Sequence, residues 1–165
     1  MSLRRMILIA LFTALMFVLT YTVVIPIPPF GFINLSDMLI MLTAPYFGVF
    51  GMLFVAGLGT AFADIALTYV NYSIFTFVIK SLEATIIYLL IKKLNPKYRL
   101  GVYTLGAIIM LCGYGLADVI LSANFAMFIP SVLANLPQAI ACTLLATLAY
   151  RSFDKLLGRK FDESK

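Results

Sequence analysis

The sequence predicts an all-α integral membrane protein with about six transmembrane helices, and its hydropathy and length predict this class. Of the 165 residues, 63% are hydrophobic and 12% are charged, whereas soluble domains carry roughly 25% charged residues. The mean hydropathy is +1.06. A helix needs roughly 20 apolar residues to cross the hydrocarbon core, so short loops leave room for about six spans. We therefore expect residues 1–165 to form a single membrane domain surrounded by the lipid bilayer.

The first predicted helix covers residues 3–25. Its basic start and apolar run resemble a secretory signal, but the run continues to Ile25 without a small-residue cleavage site. We therefore expect a retained helix. It should end at Pro26, because proline fixes φ and removes a backbone donor. The charge-free connection PIPPFGFIN that follows predicts an external loop.

The apolar stretch from residue 35 to residue 67 is too long for one span and short for two full spans with a loop. Pro45, Gly48 and Gly51 interrupt its middle. The pattern predicts a short helix over 35–44, a tight turn, and a helix over 49–67. The remaining helices are predicted over residues 73–94, 100–121 and 131–150, followed by a basic tail over 151–165.

The cations predict the orientation of these helices. Eleven of the twelve lysines and arginines fall in three clusters. The clusters are Arg4 and Arg5; Lys92, Lys93, Lys97 and Arg99; and Arg151, Lys155, Arg159, Lys160 and Lys165. The positive-inside rule places all three in the cytoplasm, and six spans likewise put both termini on one side. This distribution accounts for the net charge of +5 without a nucleic-acid partner.

The composition also limits the chemistry. The chain has no histidine, which excludes a histidine base and a histidine-ligated metal. Cys112 and Cys142 lie in apolar runs without metal-binding spacing, so we expect buried, unpaired thiols. We predict no metal and no cofactor on this chain.

Ionisable residues inside membranes are costly and usually functional or paired, and most of those in this chain fall toward the predicted external side. Polar residues in or near the external loops join them. The predicted substrate-binding residues are Asn34, Asp37, Asp64, Tyr69, Tyr72, Lys80, Glu83, Tyr114, Asp118, Asn135 and Gln138. Together they predict a polar pocket open to the outside.

Structural roles compete with ligand binding at several of these positions. Lys80 and Glu83 are spaced i, i+3 and could neutralise each other. Asp37 could cap a helix start as readily as contact a ligand. Asn135 and Gln138 also share one helical face, and a membrane helix gains little from two amides that nothing uses.

Ala10 and Ala14 form an AxxxA pattern on the first helix, a small-residue strip that lets another helix approach closely. Gly59 and Ala63 repeat the spacing in the third helix, so internal packing is the default interpretation.

Taken together, these features resemble the S components of energy-coupling factor (ECF) transporters, six-helix proteins that capture vitamins for prokaryotic importers. The resemblance spans most of the chain, and it is closest to the branch associated with pyridoxine and hydroxymethylpyrimidine. It is carried by Ala10 and Ala14, GFINLSD (Gly31 to Asp37), FGVFGMLFVAGLGTAFAD (Phe47 to Asp64) and FTFVIKSLEA (Phe75 to Ala84).

The resemblance implies a location in the prokaryotic plasma membrane, a vitamin ligand, a transmembrane coupling subunit that contacts Ala10 and Ala14, and two ATPase subunits. The chain has no G-x-x-x-x-G-K-[ST] phosphate loop, so ATP would be used by the partner subunits.

Two other functions remain open at this stage. A self-sufficient secondary carrier could use Glu83 or Asp64 as a proton site. A lipid-headgroup enzyme would need acids clustered at the cytoplasmic face to hold a metal, whereas the acids here lie toward the opposite face. We therefore expect a binding protein rather than an enzyme.

Overall fold

The computed structural model is an all-α bundle, as the sequence predicts. It describes residues 2–26, 28 and 32–162, with backbone alone for 157–162. The helices are α1 (Leu3–Thr22), α2 (Ser36–Met52), α3 (Gly59–Ala66), α4 (Val70–Lys93), α5 (Arg99–Ser122) and α6 (Phe128–Asp162). A π-helical segment (Leu53–Leu58) joins α2 to α3, and 3₁₀ turns (Pro96–Tyr98 and Phe125–Met127) precede α5 and α6.

Five segments of the described chain are long and apolar enough to cross a membrane, against the predicted six helices. The difference lies in Ser36–Ala66, which forms one apolar helical run, whereas the sequence predicts helices over 35–44 and 49–67 joined by a tight turn. Its backbone breaks at Gly48, where φ is 70° and ψ is 177°. Only glycine adopts this region routinely.

The run reverses direction at this break. Three contacts with α4 show this: Asp37 lies next to Lys80, Gly48 next to Tyr88, and Gly57 next to Phe77. The run therefore descends along α4 as far as Gly48 and then returns. The two arms lie side by side, and the reversal occurs at Gly48, within the segment of Pro45, Gly48 and Gly51 where the sequence predicts a tight turn.

The connection after α1 differs from the predicted charge-free loop. Helix α1 ends at Thr22 instead of residue 25, and Ile25–Pro26 pairs in antiparallel fashion with Phe32–Ile33. No alternating pattern in the proline-rich sequence indicated these two short strands, β1 and β2. Pro29 and Gly31 of this connection lie outside the described residues.

Helix α6 begins at Phe128 and continues to Asp162, through the basic tail predicted over 151–165. The added turns pack against the reversal, because the Tyr46 hydroxyl donates to Asp154 Oδ1 at 2.5 Å. The side chains of Arg159 and Lys160, and all of Lys165, lie outside the described part of the chain.

The cations gather at one end of the bundle, which we call the basic end. There Arg5 Nη2 donates to the carbonyl of Phe47 at 3.0 Å, and the Arg99 guanidinium lies 4.6 Å from the Tyr150 ring centroid. The opposite end, which we call the site end, carries the β1–β2 hairpin and the turns after α3 and α5. The sequence predicts that the basic end is cytoplasmic.

Close packing between α1 and α3 depends on Gly59. A Cβ at this position would lie 2.8 Å from Met16 Cβ and 3.0 Å from the Thr13 carbonyl oxygen. Ala63, one turn further, is fully buried. The small residues of α3 therefore serve internal packing, as the default interpretation of the Gly59–Ala63 spacing expects.

Candidate functional site

A small cavity lies at the site end, between the hairpin and the parts of all six helices nearest that end. Its lining residues are Thr20, Phe32, Asn34, Ser36, Thr60, Asp64, Tyr69, Tyr72, Thr76, Lys80, Tyr114, Asn135 and Gln138. Eight of the eleven residues predicted from the sequence are in this set. The structure brings together residues from all six helices and the hairpin.

The cavity has a volume of about 20 Å³, which is room for roughly one water molecule. Pockets for small organic ligands have volumes of roughly 300 to 1,000 Å³. A vitamin-sized molecule can therefore enter only if parts of the wall move apart. The structure is a closed form of the candidate site.

At the base of the cavity, Lys80 of α4 lines the wall and forms a buried ion pair with Asp37 of α2, which lies behind it. Both side chains are at most 1% exposed. Glu83 Oε2 lies 3.8 Å from Lys80 Nζ, so the lysine stands between two carboxylates. The predicted Lys80–Glu83 interaction is present, but Asp37 is the closer partner, and its side chain does not cap α2.

Gln138 connects this ion pair to the loop before α2. Its Nε2 donates to Asp37 Oδ2 at 2.5 Å, and its Oε1 accepts from the Asn34 backbone amide at 2.7 Å. Asn34 Oδ1 in turn accepts from the Ser36 amide at 2.8 Å. In this closed form the Gln138 amide therefore holds protein groups in place.

Asn135, one turn away, has more freedom. Its Nδ2 donates to the Ser131 carbonyl of its own helix at 3.0 Å, and its side chain lines the cavity. The two residues of the i, i+3 pair predicted on α6 therefore differ. Gln138 holds parts of the wall together, whereas Asn135 faces the cavity.

Aromatic side chains form the side of the cavity nearest the loops of the site end. Phe32 of β2 packs on Tyr69 with ring centroids 5.1 Å apart, and Tyr69 meets Tyr72 at 6.3 Å. On the opposite side, Lys80 Nζ lies 5.3 Å from the Tyr114 ring centroid. The Tyr114 hydroxyl is 3.1 Å from Thr76 Oγ1. Such a surface can hold a planar ring between aromatic faces.

Asp37, Glu83 and Asp118 lie behind the wall and do not line the cavity. Asp118 accepts hydrogen bonds from the Tyr72 hydroxyl on one oxygen and from the Ser131 hydroxyl on the other. It therefore connects α4 to α6. The two residues of the predicted Tyr114–Asp118 pair have different positions: Tyr114 lines the cavity, whereas Asp118 lies behind its wall.

Asp64 differs from these three carboxylates because it lines the cavity. It is 4% exposed, and its Oδ2 has no hydrogen-bond partner among the described residues. The Thr76 hydroxyl is the hydrogen-bonding side chain next to the Asp64 carboxyl group. Asp64 thus presents a buried, unused acceptor to the cavity.

The sequence reasoning did not select five residues of the wall, namely Thr20, Phe32, Ser36, Thr60 and Thr76. The Thr20 and Thr60 hydroxyls donate to carbonyls one turn earlier, at 2.8 and 2.6 Å, which leaves their oxygens free to accept. Thr20 and Thr60 are polar residues in apolar helices, near the level of Asp64. This position could have identified them as part of the cavity wall from the sequence.

A second feature is an apolar groove of about 710 Å³ on the outside of α1 and α3. Ala10 and Ala14 lie in it and are exposed, while Phe50, Phe54 and Phe62 form its opposite side. The two alanines are therefore not used for packing within the described bundle. Small side chains in a wide apolar groove allow another helix to approach closely.

The described residues contain no group of three or more cysteine, aspartate or glutamate side chains placed to hold a metal ion. Both cysteines are free thiols. Cys142 is buried and its Sγ lies 3.6 Å from the Asn34 carbonyl oxygen. Cys112 is exposed on the bundle surface, contrary to the expectation that both thiols are buried.

Comparison with known protein families identifies the architecture. The family model described as "ECF-type riboflavin transporter, S component" matches residues 1–155. The chain belongs to this family. An S component is a membrane transport subunit that works with an ECF module, and the family is not an enzyme family. The predicted resemblance to S components is confirmed, whereas the predicted branch stays a prediction.

A curated relative is an uncharacterized protein from Pyrococcus woesei, described as lying in the gap 3' region. It is 39% identical over 99 residues, which is 59% of this chain and 66% of the relative. The match thus spans just under two thirds of that protein.

Proposed function

We propose that this S component captures a small, hydroxylated heteroaromatic vitamin or vitamin precursor outside the cell and delivers it to an ATP-driven ECF module. The observation that carries the proposal is the cavity at the site end, where an aromatic wall accompanies the Asn135 amide and the unpartnered Oδ2 of Asp64. Apolar pockets with a few convergent polar groups are typical binding sites for small molecules.

Pyridoxine and hydroxymethylpyrimidine are the favoured ligands within this proposal. The sequence resembles their branch, and a single ring requires less opening of a 20 Å³ cavity than a three-ring flavin does. Riboflavin is the alternative, because the matching family carries its name. The wall residues can hydrogen-bond ring substituents of either kind.

The groove on α1 supports the second half of the proposal. It is apolar, exposed and lined by Ala10 and Ala14, which suits a helix of the transmembrane coupling subunit. Two ATPase subunits would complete the importer in the prokaryotic plasma membrane. The groove and the ligand cavity have no lining residue in common, so ligand and partner can bind together.

Reconstitution tests the proposal. Purified protein in proteoliposomes should bind a radiolabelled vitamin from this class but accumulate it only when the coupling subunit and ATPases are co-reconstituted and ATP is supplied. Accumulation by the S component alone, driven by a proton gradient, would instead support the secondary-carrier alternative with Glu83 or Asp64 as the proton site. The enzyme alternative loses support because the cavity carboxylate lies at the site end.

A further inference from the structure

The buried charges around the cavity are unbalanced. Among the described residues, the buried acidic and basic side chains are four carboxyl groups and one ammonium group. They are Asp37, Asp64, Glu83, Asp118 and Lys80. A closed site in a membrane with this excess of acids is electrostatically unfavourable for an anionic ligand and favourable for a ligand that brings donors or positive charge.

The protein itself satisfies most of these groups. Asp37 is paired with Lys80 and receives Gln138 Nε2. Asp118 receives two hydroxyl donors. Glu83 is different, because neither of its oxygens has a hydrogen-bond partner among the described residues, but it lies behind the wall, with Oε2 3.8 Å from Lys80 Nζ.

Of the four buried acids, Asp64 is the one that lines the cavity. Its Oδ2 is buried, unpartnered and on the cavity wall. A buried acceptor without a donor is unfavourable, and a charged acceptor more so. An incoming N–H group that meets this oxygen would remove that penalty, because the neighbouring Thr76 hydroxyl makes no hydrogen bond to Oδ2.

Lys80 does not offset this preference. It also lines the cavity, but its ammonium group is held by Asp37 and has Glu83 nearby on the other side. A phosphate group in the cavity would therefore meet a lysine whose charge is already neutralised, together with the open carboxylate of Asp64.

From this arrangement we infer that the site selects unphosphorylated, basic heteroaromatic compounds, which present a ring N–H or an amino group to Asp64. The inference rests on the proposed function and narrows its ligand class. Hydroxymethylpyrimidine, with its amino group, and pyridoxine, with its basic ring nitrogen, both fit. Their phosphate esters do not fit.

Calorimetry on wild-type protein in lipid nanodiscs tests the class directly. The probes are pyridoxine, hydroxymethylpyrimidine, riboflavin and the phosphate ester of each. We expect a one-ring compound to bind and its own ester to bind at least about a hundredfold more weakly. An ester that binds as tightly as its parent compound overturns the inference, and so does binding of riboflavin alone.

Two matched variants test the role of Asp64. Asp64→Asn keeps the side-chain volume and should weaken binding of the one-ring ligand by about tenfold or more. Asp154→Asn makes the same substitution at an exposed carboxylate of the basic end, and it should leave the affinity unchanged. Thermal unfolding verifies that both variants are folded.

The outcomes separate the two proposals. Equal affinity of wild type and Asp64→Asn for the ligand overturns the assignment of Asp64 but leaves vitamin binding intact. If wild-type protein binds none of the probes, the proposed function fails and the inference fails with it.

Discussion

Gln138 on α6 holds the loop residue Asn34 in place across 104 positions of sequence, through a 2.7 Å hydrogen bond from the Asn34 backbone amide. The same side chain donates to Asp37. One amide thus fixes both the loop that covers the cavity and the ion pair beneath it. Its neighbour Asn135 performs neither task, which makes the two residues a natural experimental pair.

Asn135→Ala and Gln138→Ala should therefore have different effects. Gln138→Ala leaves a backbone amide and a carboxylate oxygen without partners, and each buried loss costs roughly 1 to 3 kcal/mol. We expect a clear fall in unfolding temperature. Asn135→Ala should weaken vitamin binding by about tenfold with little change in stability. Thr104→Ala, on the exposed side of α5, is the control. Equal stability of both amide variants would contradict the assigned role of Gln138.

Ala10→Leu or Ala14→Leu should abolish ATP-driven uptake while leaving vitamin binding nearly unchanged, because a larger side chain fills the groove on α1 but touches no cavity residue. Uptake and binding are measured in the reconstituted transporter. Ala141→Leu enlarges another exposed alanine, on α6, and serves as the matched control. Loss of binding in step with uptake would place the strip in the packing of this subunit instead.

Gly48→Ala should destabilise the protein by about 1 to 3 kcal/mol, because φ of 70° with ψ of 177° is strained for any residue with a Cβ. Gly101→Ala is the control, since a Cβ there meets nothing within 4 Å and alanine favours helix. Thermal unfolding in detergent compares the two. A Gly48 variant as stable as wild type would show that the reversal does not depend on this conformation.

The Lys80–Asp37 pair should show strong coupling in a double-mutant cycle. Lys80→Met alone leaves two carboxylates without their cation, a loss of the kind that costs roughly 3 to 5 kcal/mol for a buried pair. Adding Asp37→Asn should recover part of this stability. Additive losses measured by thermal unfolding would indicate that the two side chains do not stabilise each other.

Sidedness is tested by cysteine labelling in intact cells, with both native cysteines replaced. Asn71→Cys and Asn124→Cys at the site end should react with a membrane-impermeant maleimide. Asn95→Cys, near the cations of the basic end, should react only after permeabilisation. All three positions are exposed, whereas Asn34 is buried and unsuitable. The reverse pattern would place the cavity in the cytoplasm.

The sequence predicted the class, the bundle and most of the cavity wall, because polar residues are rare enough in an apolar chain to identify a site. It could not predict which polar residues pair with one another. Asp37 and Lys80 are 43 positions apart, and nothing local indicates that α2 places its first turn against the middle of α4. The different roles of Gln138 and Asn135 likewise depend on the hydrogen bond between Gln138 and the loop residue Asn34, which is distant in sequence.

The reversal at Gly48 was partly predictable because proline and glycine mark breaks in helices. The sequence did not indicate that a single positive-φ glycine makes this turn, with the helical pattern continuing on both sides. The hairpin after α1 gave no signal, because its strands are only two residues long and one contains a proline.

Between the cavity and the basic end, the bundle is filled by fully buried apolar side chains, among them Met41, Ile87 and Met110. A hydroxylated ring could cross this layer only by displacing close-packed neighbours and losing its hydrogen bonds. For the proposed uptake, the mouth at the site end is therefore both entrance and exit. The subunit would have to reorient in the membrane so that this one opening faces each side in succession. Its lipid-facing surface must therefore be compatible with the bilayer during reorientation as well as at rest.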